Sequence, residues 1–136
     1  MGRCLLTLGV TATVLAAADL AVKAAAGAGA IDPRSMLYVT VVVGLSVVWV
    51  GAIVLTRSPA MAVGGGVLAA GALGNVASLA FWPGVPNPIT TASFAFNLAD
   101  VSVLVGFVAV SACSLRLVRV ERARLNEPLG GARATN

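Results

Sequence analysis

A chain of 136 residues that is 59% hydrophobic and only 10% charged, with a mean hydropathy of +0.98, falls outside the soluble class, in which about 25% of residues are charged. The complete lack of histidine removes histidine-based triads and most zinc sites, and the two cysteines, Cys4 and Cys113, stand in no metal-ligand spacing. A net charge of +4 does not point to nucleic acid either, because its arginines hug the ends of apolar runs without interleaved aromatic residues.

A bilayer-crossing helix needs about 20 mostly apolar residues, and four such runs can be drawn, at 4–26, 36–55, 60–82 and 97–118. The expected fold class is all-α: a polytopic membrane protein with four transmembrane helices, forming one unit over 1–120. The first run begins after Arg3 and carries Asp19 and Lys23 in its second half. Acid four residues before base puts the pair on one helix face. A secretory signal cut near Ala28-Gly29-Ala30 is the rival reading. The apolar run is long for a signal core, and Asp19 and Lys23 precede the cut, so a retained helix is expected.

The connection at 27–35 is a short turn marked by Asp32-Pro33. A tight turn, Thr56-Arg57-Ser58-Pro59, leads into the third run with proline near its start, where proline fits. That third run holds Gly64, Gly65, Gly66, Gly71 and Gly74. Gly66, Ala70 and Gly74 form a small-residue stripe of the kind that lets helices approach in lipid. No Gly-Lys-Ser/Thr follows, so the glycines are not a phosphate loop. Asn75 and Ser78 close the run. Phe81 and Trp82 then sit where interfacial aromatics belong. The stretch 83–95 contains Pro83, Pro86 and Pro88 and no charge, and is expected to fold back on the bilayer surface. Asn97 and Asp100 open the fourth run, where an asparagine caps and the helix dipole favours an anion. Residues 121–136 read as a polar, disordered cytoplasmic tail.

Arg3, Arg57, Arg116, Arg119, Arg122 and Arg124 fall on one predicted side, Lys23 and Arg34 on the other. Positive charge biases loops toward the cytoplasm, so both termini are expected inside, with the arginines held by lipid headgroups. The same topology gathers Asp19, Lys23, Asn75, Ser78, Asn97 and Asp100 at the extracytoplasmic edge. Ionisable groups inside a membrane are expensive and point to function.

Three sequence blocks sharpen this: Asp19-Leu20-Ala21-Val22-Lys23, Gly71-Ala72-Leu73-Gly74-Asn75, and Phe96-Asn97-Leu98-Ala99-Asp100 followed by Gly106. In this order and spacing, over residues 15–110, the chain resembles the lipoprotein signal peptidases (signal peptidase II), four-helix aspartic proteases of bacterial membranes. The resemblance implies a multi-pass protein of the bacterial inner membrane, its pocket on the extracytoplasmic side, with no cofactor or metal. It assigns Asp100 as one of two catalytic aspartates, and Asp19, Lys23, Asn75, Ser78 and Asn97 to pocket or support. The family's second aspartate lies in a Val-x-Asp-Phe context, but here the stretch is Val85-Pro86-Asn87-Pro88, so Asn87 takes its place. Ser78 and Leu79 replace the family's Asp-Arg after Asn-x-x, and only a short Gly/Ala turn stands where the family has an Asn-x-Gly-Ala-Ala-Phe segment.

Aspartic proteolysis needs two carboxylates that share a proton, and an amide does not exchange one near neutral pH. The expected function is therefore a catalytically impaired or inactive signal peptidase homologue. Its expected partners are membrane lipids and a lipid-modified prolipoprotein or another membrane helix, not nucleic acid. Two alternatives stay open: an active, divergent aspartic endopeptidase, and a small four-helix transporter subunit. A Ser78–Lys23 dyad is a further, minor reading.

Overall fold

The computed structural model describes residues 2–27 and 29–126. It contains four long helices, α1 (Gly2–Ala26), α2 (Met36–Thr56), α3 (Pro59–Ser78) and α4 (Leu98–Leu125). All four are long and apolar enough to cross a membrane. The protein is thus a mostly helical, multi-pass membrane protein.

Local chemistry sets most helix boundaries. Ser35, Ser58 and Asn97 are the N-caps of α2, α3 and α4, each accepting a backbone N–H from the first turn, and Pro59 opens α3. Arg57 closes α2 in the left-handed region at φ 52°. Two ends depart from the sequence-based bounds. α3 stops at Ser78 rather than 82, because Pro83 disfavours helical backbone just before it and the chain turns there instead, Phe81 and Trp82 both donating to the Ser78 carbonyl. α4 runs to Leu125, past the expected start of a polar tail at 121. Nothing between 118 and 125 breaks a helix, and Glu121 faces Arg124 at 4.0 Å. The remainder of that tail, 127–136, lies outside the described residues.

α3 is the central helix, packed against α1, α4 and α2. Its consecutive glycines explain how. Residues along a helix step by about 100°, so Gly64, Gly65 and Gly66 face three directions. A Cβ on Gly64 would lie 3.2 Å from Ala109 of α4, and one on Gly65 would strike Ile53 of α2. One on Gly66 would come within 2.8 Å of the Leu8 carbonyl of α1. Each neighbour therefore meets α3 at its own glycine. Farther along, Gly71 lies against the Ala99 carbonyl, and Gly106 of α4 lies against the backbone of Leu68. The expected small-residue stripe does pack tightly, with Ala70 and Gly74 buried.

α1 presents Cys4, Leu8, Ala12, Ala16, Asp19 and Lys23 to this centre, and α4 presents Ala99, Ser102, Gly106 and Val110. Both are stripes at helical spacing. α2 differs. It is seated on α3 through Ile53, while Leu37, Leu45, Val47, Val48 and Leu55 are exposed. Its stance leaves two apolar grooves, one toward α4 of about 420 Å³ and one toward α1 of about 380 Å³.

The connections at the other end from the Arg57 turn are more ordered than their sequence suggests. The short turn at 27–35 contributes β1 (Ala30–Asp32), and the proline-rich stretch contributes β2 (Val85–Asn87), β3 (Ile89–Thr90) and β4 (Ala95–Phe96). β1 and β2 are antiparallel with Ala30 opposite Asn87, Ile31 opposite Pro86 and Asp32 opposite Val85. β3 and β4 form a second pair. So 83–95 does not simply lie back along the surface: its first part is clamped by the first connection. Gly29 permits this approach, since a Cβ there would lie 2.6 Å from the Asn87 carbonyl and its φ of +55° suits glycine. Val85, Pro86 and Asn87 are all buried.

Candidate functional site

The strand-bearing end holds a continuous polar network that includes every residue singled out from sequence. Lys23, fully buried on α1, lies 2.6 Å from Asp19 Oδ2. The spacing along one helix face forces that pairing. Lys23 Nζ also donates to Ser78 Oγ at 2.9 Å and to Asn75 Oδ1 at 3.1 Å, both from α3. An ammonium has three protons, and four acceptors surround it, the fourth being the Gly74 carbonyl at 3.5 Å. The second Asp19 oxygen, Oδ1, accepts the Ala99 backbone N–H at 2.9 Å, tying α1 to the first turn of α4.

Asn75 links this closed cluster to Asp100. Its Oδ1 faces Lys23, while its Nδ2 donates to Asp100 Oδ1 at 3.0 Å. Asp100 Oδ2 accepts from the Asn97 backbone N–H at 3.1 Å, and Asn97 Oδ1 accepts from the Asp100 N–H at 3.0 Å. These reciprocal bonds form a capping box. The anion at the start of α4 thus neutralises exposed helix donors as well as lining a cavity.

Asn87 enters the network through Asn97. The buried Asn97 Nδ2 donates to Asn87 Oδ1 at 2.7 Å, to Asn75 Oδ1 at 3.1 Å and to the Pro86 carbonyl at 3.3 Å. Asn87 and Asp100 share no hydrogen bond. They are neighbours in one network, bridged by a third side chain that bonds both.

This geometry decides the chemistry available. Ser78 is buried and donates to the Gly74 carbonyl at 2.7 Å while it accepts from Lys23. Lys23 is held by Asp19 and donates its protons, so it cannot act as the base of a serine nucleophile. Neither residue lines the groove beside α2. Asp100 and Asn75 do, at its strand-bearing end, and the groove continues between apolar walls that include Leu45, Trp49, Ile53 and Phe107. Among the described residues, no group of three or more metal-ligating side chains occurs.

Several contributors were missed from sequence. Tyr38, Val42, Leu45, Ser46, Trp49 and Ile53 line the groove from one face of α2. Their spacing is helical, but in a run apolar on every side that periodicity has no contrast. Arg34 stands at the same end, its guanidinium 4.6 Å over the Tyr38 ring and 2.8 Å from Asp32. The Ala99 amide and the Pro86 carbonyl are backbone groups that no residue pattern announces.

No curated protein and no solved structure matches the chain significantly. The family model for signal peptidase (SPase) II, however, matches residues 20–116, a span that includes Lys23, Asn75, Ser78, Asn87, Asn97 and Asp100. With that match over most of its length, the chain belongs to the signal peptidase II family.

Proposed function

We propose that this is a non-proteolytic signal peptidase II homologue that holds a lipid-modified prolipoprotein, or a similar lipid-bearing membrane segment, without cutting it. It lies in a bacterial inner membrane with both termini cytoplasmic. The gathering of Arg3, Arg57 and the arginines late in α4 at one end supports this orientation, in which Asp100 and the strands lie on the outer side.

The observation that carries the reading is the state of Asn87. The family's second aspartate would stand there, and an amide stands there instead, its carbonyl oxygen bound to Asn97. Asp100 has amide donors as partners, Asn75 and Asn97. The Asp19 carboxylate also reaches the first turn of α4, but Lys23 and the Ala99 N–H occupy its two oxygens. A water held by Asp100 therefore lacks the second carboxylate that would complete a proton-sharing couple. Binding survives that loss, because the groove does not depend on Asn87.

The test is incubation of the purified protein, in detergent, with a diacylglyceryl prolipoprotein peptide. No cleavage is expected, and Asn87→Asp is expected to introduce some. Robust cleavage by the native protein that disappears in Asp100→Asn, or rescue of a bacterium lacking its signal peptidase, would establish the active alternative instead.

A further inference from the structure

The basic groups at the two ends of the bundle have different surroundings. At the strand-bearing end Lys23 is paired with Asp19, and Arg34 with Asp32. At the other end the guanidinium groups of Arg3, Arg57, Arg116, Arg119 and Arg122 are exposed and make no hydrogen bond or ion pair among the described residues. Arg124 meets Glu121 at 4.0 Å with both exposed, a pairing worth little. Unpaired cations gathered at one end call for anions from outside the chain.

The register of α4 on α3 sets their depth. Asp100 bonds Asn75, Gly106 lies on Leu68, Gly64 faces Val110 and Ser114 reaches Met61, so Arg116 is level with Pro59, the first residue of α3. At 20 residues, α3 is about 30 Å long, the thickness of a hydrocarbon core. The part of α4 from Leu117 to Leu125 therefore overhangs α3 by about 14 Å, through the headgroup layer and past it. One face of α4 crosses that boundary. Leu104, Val108, Leu115, Arg119 and Arg122 recur on it at helical spacing, and all are exposed. The rise from Leu104 to Leu115 is about 17 Å, close to half of the core, and the two arginines follow. Apolar side chains and then guanidinium groups, in that order, match a phospholipid laid lengthwise. A guanidinium bonds a phosphate through two parallel N–H groups.

We infer that this face of α4 binds an anionic phospholipid of the leaflet at the Arg57 end, its phosphate held by Arg119 and Arg122 and its hydrocarbon along Leu115, Val108 and Leu104. A headgroup without a cation of its own is preferred, because the ammonium of a zwitterionic headgroup already offsets the phosphate charge. The site stands apart from the polar network and from the groove beside α2, so it holds whether or not the chain cleaves peptides.

The full chain in detergent micelles is titrated with dioleoyl phosphatidylglycerol or dioleoyl phosphatidylcholine, and bound lipid is counted by native mass spectrometry. The anionic lipid is expected to bind about 25-fold more tightly, about fivefold for each arginine near a charged surface. Arg119→Gln combined with Arg122→Gln should remove that preference, whereas Arg3→Gln combined with Arg57→Gln should leave most of it. Equal binding of the two lipids by the native protein overturns the inference and needs no variant. Equal losses in the two double variants overturn it as well, because the preference then belongs to the charge of the whole end and not to one face of α4. Displacement of the anionic lipid by a single-stranded oligonucleotide at the same concentration assigns the face to nucleic acid and overturns the lipid assignment. Cleavage of a prolipoprotein peptide by the native chain brings down the non-proteolytic reading and leaves this one standing.

Discussion

Lys23 and Asp100 sit at opposite ends of one hydrogen-bonded network, joined through Asn75. Lys23 is sealed in, ion-paired with Asp19 and hydrogen-bonded to Ser78, Asn75 and the Gly74 carbonyl. Asp100 is bonded on one side and open on the other, where it faces the groove beside α2. Removing water from a charge is tolerable when partners replace it, and the sealed end does this with an ion pair and a set of buried hydrogen bonds. The open end keeps unused acceptor capacity on a charged group. The contrast separates what holds the helices together from what is available to a ligand.

The largest expected effect falls on the sealed end. Lys23→Met leaves Asp19 buried without its cation and should destabilise the protein by about 3–5 kcal/mol, read as a fall in thermal midpoint in detergent. Adding Asp19→Asn to it should restore much of that loss, because no lone charge is then left. If Lys23→Met were as stable as the native chain, the distinction between the two ends would fail.

A smaller effect is expected where α3 and α4 touch. Gly106→Ala drives a methyl into the Leu68 backbone, and overpacking of this kind costs about 1–3 kcal/mol. It should lower the thermal midpoint while leaving the polar network's partners in place. The smallest effect belongs to Asp100→Asn, which removes a favourable charge and one acceptor of the capping box from the first turn of α4 and should lower stability by about 1 kcal/mol. A loss as large as that of Lys23→Met would mean that Asp100 is a structural anchor and not a group held ready for a ligand.

The four helices were legible because long apolar runs admit few other structures. The polar network was legible for a related reason: with so little charge in the chain, Asp19, Lys23 and Asp100 stand out, and antiparallel helices bring them to one level. The sheet was not legible. Val85-Pro86-Asn87 reads as a proline-broken loop, and three residues are too few to show strand alternation. Its burial comes from a partner, Ala30–Asp32, more than fifty residues earlier in the chain. The groove was hidden too, since Trp49 and Tyr38 look like any aromatic residues of a membrane helix. Tertiary placement alone distinguishes their face.

The glycine triplet has a consequence for how the bundle tolerates change. Because Gly64, Gly65 and Gly66 each serve a different partner, adjacent codons address separate helix contacts, and each contact can be altered without touching the other two. A single residue inserted just before Gly64 does the reverse. It turns the whole triplet through about 100°, so that every neighbour would meet a residue chosen for another. Substitution in this run acts locally, whereas a frame-preserving insertion of one codon disturbs all three seams at once.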